Sequence, residues 1–189
     1  QCLLLLGQLR ASQFSDRCIP LLDHARNEVL VTSAWLLHLF PDPAVEDAVK
    51  IRLIRNEELL RNPDAESARK DLDKQSSYLI QYAGLRRLEG IQPYLKPAFR
   101  KGPPRDTFKR AAAMWTLGLL NENDPVPDLV QSFIGRIQDR DPQNPERLEV
   151  RRMSAVALGV IRAESAMPVL LEARQIDPVL SVIPDSARW

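Results

Sequence analysis

The 189-residue sequence predicts an all-α protein made of tandem helix pairs, an α-solenoid. Three observations lead there. Glycine and proline recur at one spacing: nine residues separate Gly84 from Pro93, Gly118 from Pro127 and Gly159 from Pro168, in a chain with only 7 glycines. The segments that follow the prolines carry apolar residues at helical spacing, such as Leu129 and Phe133, or Leu170 and Ala173. The 15 prolines fall mostly between these segments, and no stretch alternates as a strand hairpin does.

Each unit is expected to run helix, short turn, helix. The first, about 1–26, opens with Cys2-Leu3-Leu4-Leu5-Leu6 and Gly7-Gln8-Leu9. This run reads as the last part of a buried helix, and the chain as a fragment of a longer protein. No basic segment precedes the leucines as it would in a signal peptide. The second unit, 27–61, has a helix through Val29–Leu37, His38 in the glycine position, and Pro41 and Pro43 opening its second helix. The third, 65–102, starts with an unusually long helix over about 66–88, and its second helix carries Leu95, Ala98 and Phe99. The fourth and fifth, 105–140 and 146–176, are the clearest. Ala111–Ala113 and Gly118 in one, and Ser154, Ala155, Ala157 and Gly159 in the other, let a neighbouring helix approach closely. Each following proline belongs in the first turn of the next helix, where a missing N–H costs nothing. Asn123-Asp124 and Glu164-Ser165 supply cap-type residues before two of them. The tail 177–189 begins a sixth unit or wraps the end, and 1–189 reads as one domain.

Composition narrows the function classes. With 26 Lys+Arg against 25 Asp+Glu the net charge is +1, unlike a dedicated nucleic-acid binder or a polybasic membrane anchor. No apolar run approaches the roughly 18–20 residues of a membrane span. Cys2 and Cys18 match no metal or redox spacing and read as buried thiols. These features favour the cytoplasm.

Val150-Arg151, Ser154, Ala157-Leu158-Gly159, Ala166 and Pro168-Val169-Leu170 together resemble the HEAT-like repeat in its short bacterial form, the phycobilisome-lyase HEAT-like repeat. Arg110, Ala113, Leu117-Gly118, Pro127 and Leu129 match nearly as well; Ala83-Gly84, Pro93 and Leu95 match in part, with Ser76 where arginine is usual. The resemblance implies a right-handed superhelix of about five helix pairs, first helices convex and second helices concave. It also implies that Arg110 and Arg151 bond between successive repeats. Every position in the motif serves packing or turning, and none is catalytic.

The second helices of such a stack line its concave face. This proposes His24, Lys50, Arg52, Arg55, Lys96, Arg100, Gln131, Arg136 and Glu172 as groove residues, facing an acidic or mixed peptide surface. The densest basic stretch runs from Lys96 through Arg100, Lys101, Arg105, Lys109 and Arg110. Trp35 and Trp115 lie in apolar helical runs and belong to the core. Glu57-Glu58 and Asp71/Asp73 read as solvated charge beside basic residues, and Asp106 as a helix-start residue. His24 and His38 stand in no metal-binding pattern, and no nucleophile or phosphate-loop motif occurs.

The expectation is therefore a non-catalytic protein-binding scaffold that takes no cofactor or metal. Its apolar edge, Leu3 to Leu6 and Leu9, is expected to self-associate. The alternative from another class is a subunit resembling the bilin lyases, which would need a cluster of cations and aromatics. A nucleic-acid-binding solenoid would need a strongly positive face.

Overall fold

The computed structural model describes residues 2–9, 12–61, 66–101 and 106–176. Among these there is no strand, and no helix is long and apolar enough to cross a membrane. The helices are α1 (Cys2–Gln8), α2 (Ser15–Cys18), α3 (Asn27–Leu39), α4 (Glu46–Arg61), α5 (Glu66–Leu85), α6 (Gln92–Leu95), α7 (Thr107–Leu120), α8 (Pro127–Gln138), α9 (Leu148–Val160) and α10 (Met167–Ile176). The chain packs as two compact units, Gln1–Tyr94 and Leu95–Trp189, and the division falls inside the third expected pair, 65–102. The expected tail, 177–189, lies outside the described residues.

In the first unit α3 packs most closely on α5, and α4 packs on α5 as well. Leu36, Leu37, Leu79 and Tyr82 fill the interior. Pro43 opens a 3₁₀ turn (Pro43–Val45) that leads into α4, and Asp42 Oδ1 accepts from the Ala44 N–H at 2.9 Å. Tyr82 donates its hydroxyl to the Asp42 carbonyl, tying α5 to this turn. Burial, with Glu46 nearby, pushes the phenol up to about 12, so it stays a donor at neutral pH.

The leucine-rich start departs from expectation. Of α1 only Gly7 is buried, while Leu4, Leu5 and Leu9 are exposed. The short helix has one large neighbour, α3, and touches it at Gly7, where an added Cβ would lie 2.5 Å from the Trp35 ring. Cys2 is exposed for the same reason, although Cys18 is buried as expected; both are free thiols.

Two helices end in the same way. The Arg87 N–H bonds to Gly84 O at 3.1 Å and Leu88 N–H to Ala83 O at 2.9 Å. The Arg162 N–H bonds to Gly159 O at 3.1 Å and Ala163 N–H to Leu158 O at 3.0 Å. Arg87 (φ 50°) and Arg162 (φ 56°) take the left-handed conformation that such endings require. The glycines thus stand three residues before the reversal, within helical backbone.

In the second unit α7 packs most closely on α9, α8 on α9, and α10 on α8. Gly118 sits at the first of these contacts: an added Cβ would lie 2.9 Å from both Cα and Cβ of Ala157. Met114, Leu117, Phe133, Ile137, Leu158 and Ile161 form the core, with the Phe99 ring edge-on to Phe133 at 5.3 Å. Pro127 is the first residue of α8, with Asp128 in the first turn and Arg136 in the last, as the helix dipole favours. The expected caps are not used. Val126 is the N-cap of α8, and Asn123 instead turns left-handed (φ 60°), its N–H reaching Val160 O at 3.2 Å. Glu164 and Ser165 lie inside a 3₁₀ turn (Glu164–Ala166) that precedes α10.

The second helix expected after Pro93 is only α6, followed by a 3₁₀ turn at Lys96–Phe99. Pro97 lacks an N–H and disfavours helical backbone at Lys96, so the helix stops after one turn.

Gly118→Val should destabilise the second unit by about 1–3 kcal/mol, because the Ala157 backbone cannot yield. Gly135→Ala, on α8 with nothing within 4 Å of the added methyl, should gain up to about 1 kcal/mol. Chemical denaturation of the two variants checks both signs.

Candidate functional site

Among the described residues each unit contains a buried polar network, and these absorb Arg52 and Arg136 of the proposed groove residues. In the second unit the centre is Glu146, whose side chain is almost wholly enclosed. It lies just before α9. Arg110 of α7 reaches it through two parallel bonds, Nη1 to Oε1 at 2.7 Å and Nη2 to Oε2 at 2.5 Å. Arg136, at the end of α8, adds Nη1 to Oε2 at 2.9 Å, and the Arg147 N–H bonds to Oε1 at 2.9 Å. The Glu146 N–H in turn meets Asp139 O at 3.0 Å, and Lys101 Nζ bonds to Asp139 Oδ1 at 2.9 Å. Burial pushes the Glu146 carboxyl up, but the hydrogen bonds and charge of Arg110, with the Arg147 N–H and Arg136, outweigh it and hold the carboxyl below its usual range.

Arg110 also donates to the backbone. Its Nε–H bonds to Ala98 O at 3.0 Å, and the Nε–H of Arg151 bonds to Ile137 O at 3.2 Å. Each arginine sits on the first helix of an expected pair and reaches a carbonyl of the preceding second segment. The two bonds are one motif, repeated 41 residues apart like Gly118 and Gly159.

In the first unit the network centres on Gln75 of α5. Its Oε1 accepts from Arg52 Nε at 2.9 Å and from Asn56 Nδ2 at 3.0 Å. Its Nε2 donates to Leu22 O at 2.9 Å and Leu30 O at 3.2 Å. Asn56 Nδ2 also donates to Ser76 Oγ at 3.0 Å, in the position where the resemblance leads one to look for arginine. Arg52 bonds to Asp23 as well, and Arg55 meets the same carboxylate at 3.0 Å.

This arrangement places two polar side chains on the buried face of α4, beside Val49, Leu53 and Leu60. Arg52 (6% exposed) and Asn56 (0%) face inward, while Ile51 (66%) faces out. Ile54 and Leu59 are exposed too. At 100° per residue, Ile51, Ile54, Arg55, Glu58 and Leu59 fall within an arc of about 140°. The result is an exposed aliphatic strip bearing one cation and one carboxylate.

The nine proposed groove residues therefore divide. Arg52 is a correction: it is a core residue whose guanidinium is met by Gln75 and Asp23, although burial still pushes its pKa below the usual arginine value. Arg136 is committed to Glu146 and Asp139. His24 is half-buried, its Nδ1 accepting the Arg26 N–H at 3.0 Å, and Lys50 is half-buried on α4. Arg55, Lys96, Arg100, Gln131 and Glu172 are exposed. Only Arg52 and Arg55 are drawn to a common partner, Asp23. Of the basic stretch, Arg105 lies outside the described residues.

Other expectations change similarly. Asp73 is buried rather than solvated, and Asp71 accepts from Asn27 Nδ2 at 2.8 Å. The Asn27–Asp71 bond joins α3 to α5, a contact that no local charge pattern reveals. Trp35 and Trp115 are half-buried. His38 is partly enclosed beside Tyr78, with ring centroids 6.0 Å apart, and burial pushes its pKa down. Among the described residues no group of three or more His, Cys, Asp or Glu is arranged to hold a metal ion. Glu146 and Gln75 had no signal in the sequence, since their partners lie 36 and 23 residues away.

No protein-family model matches the chain, and no curated protein matches it.

Glu146→Gln should cost about 3–5 kcal/mol at neutral pH by leaving the buried Arg110 without its anion and Arg136 with Asp139 alone. A depressed carboxyl contributes stability above its unfolded value of about 4.3, and that contribution is lost as pH falls through the folded value. The wild-type second unit should therefore lose stability in acid more steeply than the variant, as pH-dependent melting followed by Trp115 emission will show. Arg52→Met should cost the first unit about 1–3 kcal/mol, and Arg55→Met, at an exposed pair, under about 1 kcal/mol. Urea titrations of the two variants compare them.

Proposed function

We propose that this chain is a non-catalytic protein-interaction scaffold of HEAT-like helix pairs, and that α4 presents its principal docking strip. The single observation that carries the docking assignment is the exposed aliphatic strip of α4. An exposed helix normally turns its isoleucines inward. Here Arg52 and Asn56 share the buried face with Val49, Leu53 and Leu60, and three further aliphatic side chains, Ile51, Ile54 and Leu59, meet solvent, flanked by Arg55 and Glu58. That composition suits the apolar face of an amphipathic segment with charges at its margin.

Three features support the repeat reading. Alternate helices pack side by side in each unit, α3 on α5 and α7 on α9. The Arg110 and Arg151 bonds to the preceding carbonyls recur. The left-handed endings at Arg87 and Arg162 recur as well. Tandem helix pairs of this kind expose extended surfaces and serve binding more often than chemistry. The arginines and carboxylates of the interior hold helices together, which fits a scaffold role.

A photo-crosslinking residue placed at Ile51 tests the assignment in cells. Position 51 should yield a discrete crosslinked protein, position 123 in the turn before α8 should not, and adding Glu58→Lys should weaken the product. Ile51→Asp should abolish binding of that protein at least tenfold while leaving the melting temperature within about 2 °C, since the side chain is exposed. Binding that survives Ile51→Asp and Leu59→Asp together would refute α4 as the docking strip.

A further inference from the structure

Beside α1 and α2 lies a groove of about 240 Å³, lined by Leu3, Leu6, Phe14, Arg17, Cys18 and Leu21. Five of these six side chains are aliphatic, aromatic or thiol. Cys18 is buried in the wall, its Sγ 3.6 Å from Phe14 O. Burial, together with the charge of Asp16, pushes its thiol pKa up, so it contributes neutral, unreactive surface. The exposed Leu4, Leu5 and Leu9 belong to the same α1 segment and continue the apolar surface.

One charge stands at the lining. The Arg17 guanidinium lies over the Phe14 ring, 5.4 Å from its centroid, and is exposed. Among the described residues no carboxylate pairs with it. The stacking holds the planar group at the groove while its N–H donors remain free to bond. An apolar trough with one fixed cation is complementary to an aliphatic chain that ends in an anion. A carboxylate matches the fork of the guanidinium through two parallel bonds. The volume exceeds the roughly 150 Å³ that accommodates a benzene-sized ligand in an apolar cavity. An apolar recess with few convergent polar groups is also the usual form of a small-molecule site.

We propose that this groove binds a linear aliphatic carboxylate, its chain against Leu3, Leu6, Phe14 and Leu21 and its carboxylate on Arg17. The site is separate from the strip on α4, and neither assignment depends on the other. It differs from a surface that merely packs on a leucine-rich helix, which would have no need of Arg17. Capture of the ligand also covers part of the leucine surface that otherwise meets water.

The test uses decanoate and decanol as probes on the whole chain with labelled leucine methyls. Decanoate should give saturable shifts confined to Leu3, Leu6 and Leu21 and their neighbours on α1, and should bind more tightly than decanol. Arg17→Gln should weaken decanoate roughly tenfold and leave decanol unchanged, the size expected for one charge-assisted contact at an exposed site. Arg17→Lys should restore part of the loss. Cys18 is left in place, and Arg17 is exposed, so the variants retain the fold, which the unchanged Trp35 emission verifies. The proposal is overturned if no saturable shifts appear, or if decanoate and decanol bind alike in the wild type and Arg17→Gln. It is overturned equally if the same methyls shift on protein dilution alone, because a second copy then occupies the groove.

Discussion

The buried contact between Arg110 and Glu146 organises the second unit. A carboxylate taken out of water is costly unless several donors meet it. Glu146 has four: two from Arg110, one from Arg136 and the Arg147 N–H. Through these bonds the start of α9 is tied to α7 and to the end of α8. Arg110 extends the tie to Ala98, so one guanidinium fixes the segment before α7 as well. The close approach of α7 to α9 at Gly118 and Ala157 complements this polar clamp with apolar packing. Packing alone permits small shifts between helices; a bidentate ion pair does not.

The first unit meets a similar demand around a neutral side chain, with the Arg52–Asp23 pair at its edge. Gln75 presents both an acceptor and a donor inside the core, so one side chain meets Arg52 Nε, Asn56 Nδ2 and two backbone carbonyls. The carbonyls of Leu22 and Leu30 belong to the 3₁₀ turn at Pro20–Asp23 and to α3, so Gln75 connects three segments. The consequence appears on the opposite face of α4. Once Arg52 and Asn56 are taken inward, helical geometry turns Ile51 and Ile54 to solvent. The exposed strip is a by-product of an interior polar network, and it is also the feature on which the proposed scaffold role rests.

The recurring arginine-to-carbonyl bonds connect sequence period to structure. Arg110 and Arg151 stand at equal places in units 41 residues apart, and each reaches back to the preceding segment. Arg110 adds a bidentate pair with Glu146 to its backbone bond. Arg87 and Arg162 reverse the chain identically, whereas the turn after Gly118 places its left-handed residue at Asn123 and bonds it to α9.

The all-α character, the helix pairs over 27–61, 105–140 and 146–176, and the close approach at Gly118 were legible from periodicity, because the apolar spacing and the glycine and proline positions are local properties. The proline at the start of α8 was legible for the same reason. Pro97 also carried a local signal, since its ring shortens the segment after Pro93, yet apolar spacing suggested a longer helix. What only the tertiary structure decided was the fate of charge. Whether Arg52 faces solvent or core depends on Gln75 and Asp23, and the partner of Arg110 is a glutamate 36 residues away. Partners so far apart leave no periodic trace. Desolvation and pairing compete only after the helices have met, and that competition sets which residues remain on the surface to bind anything.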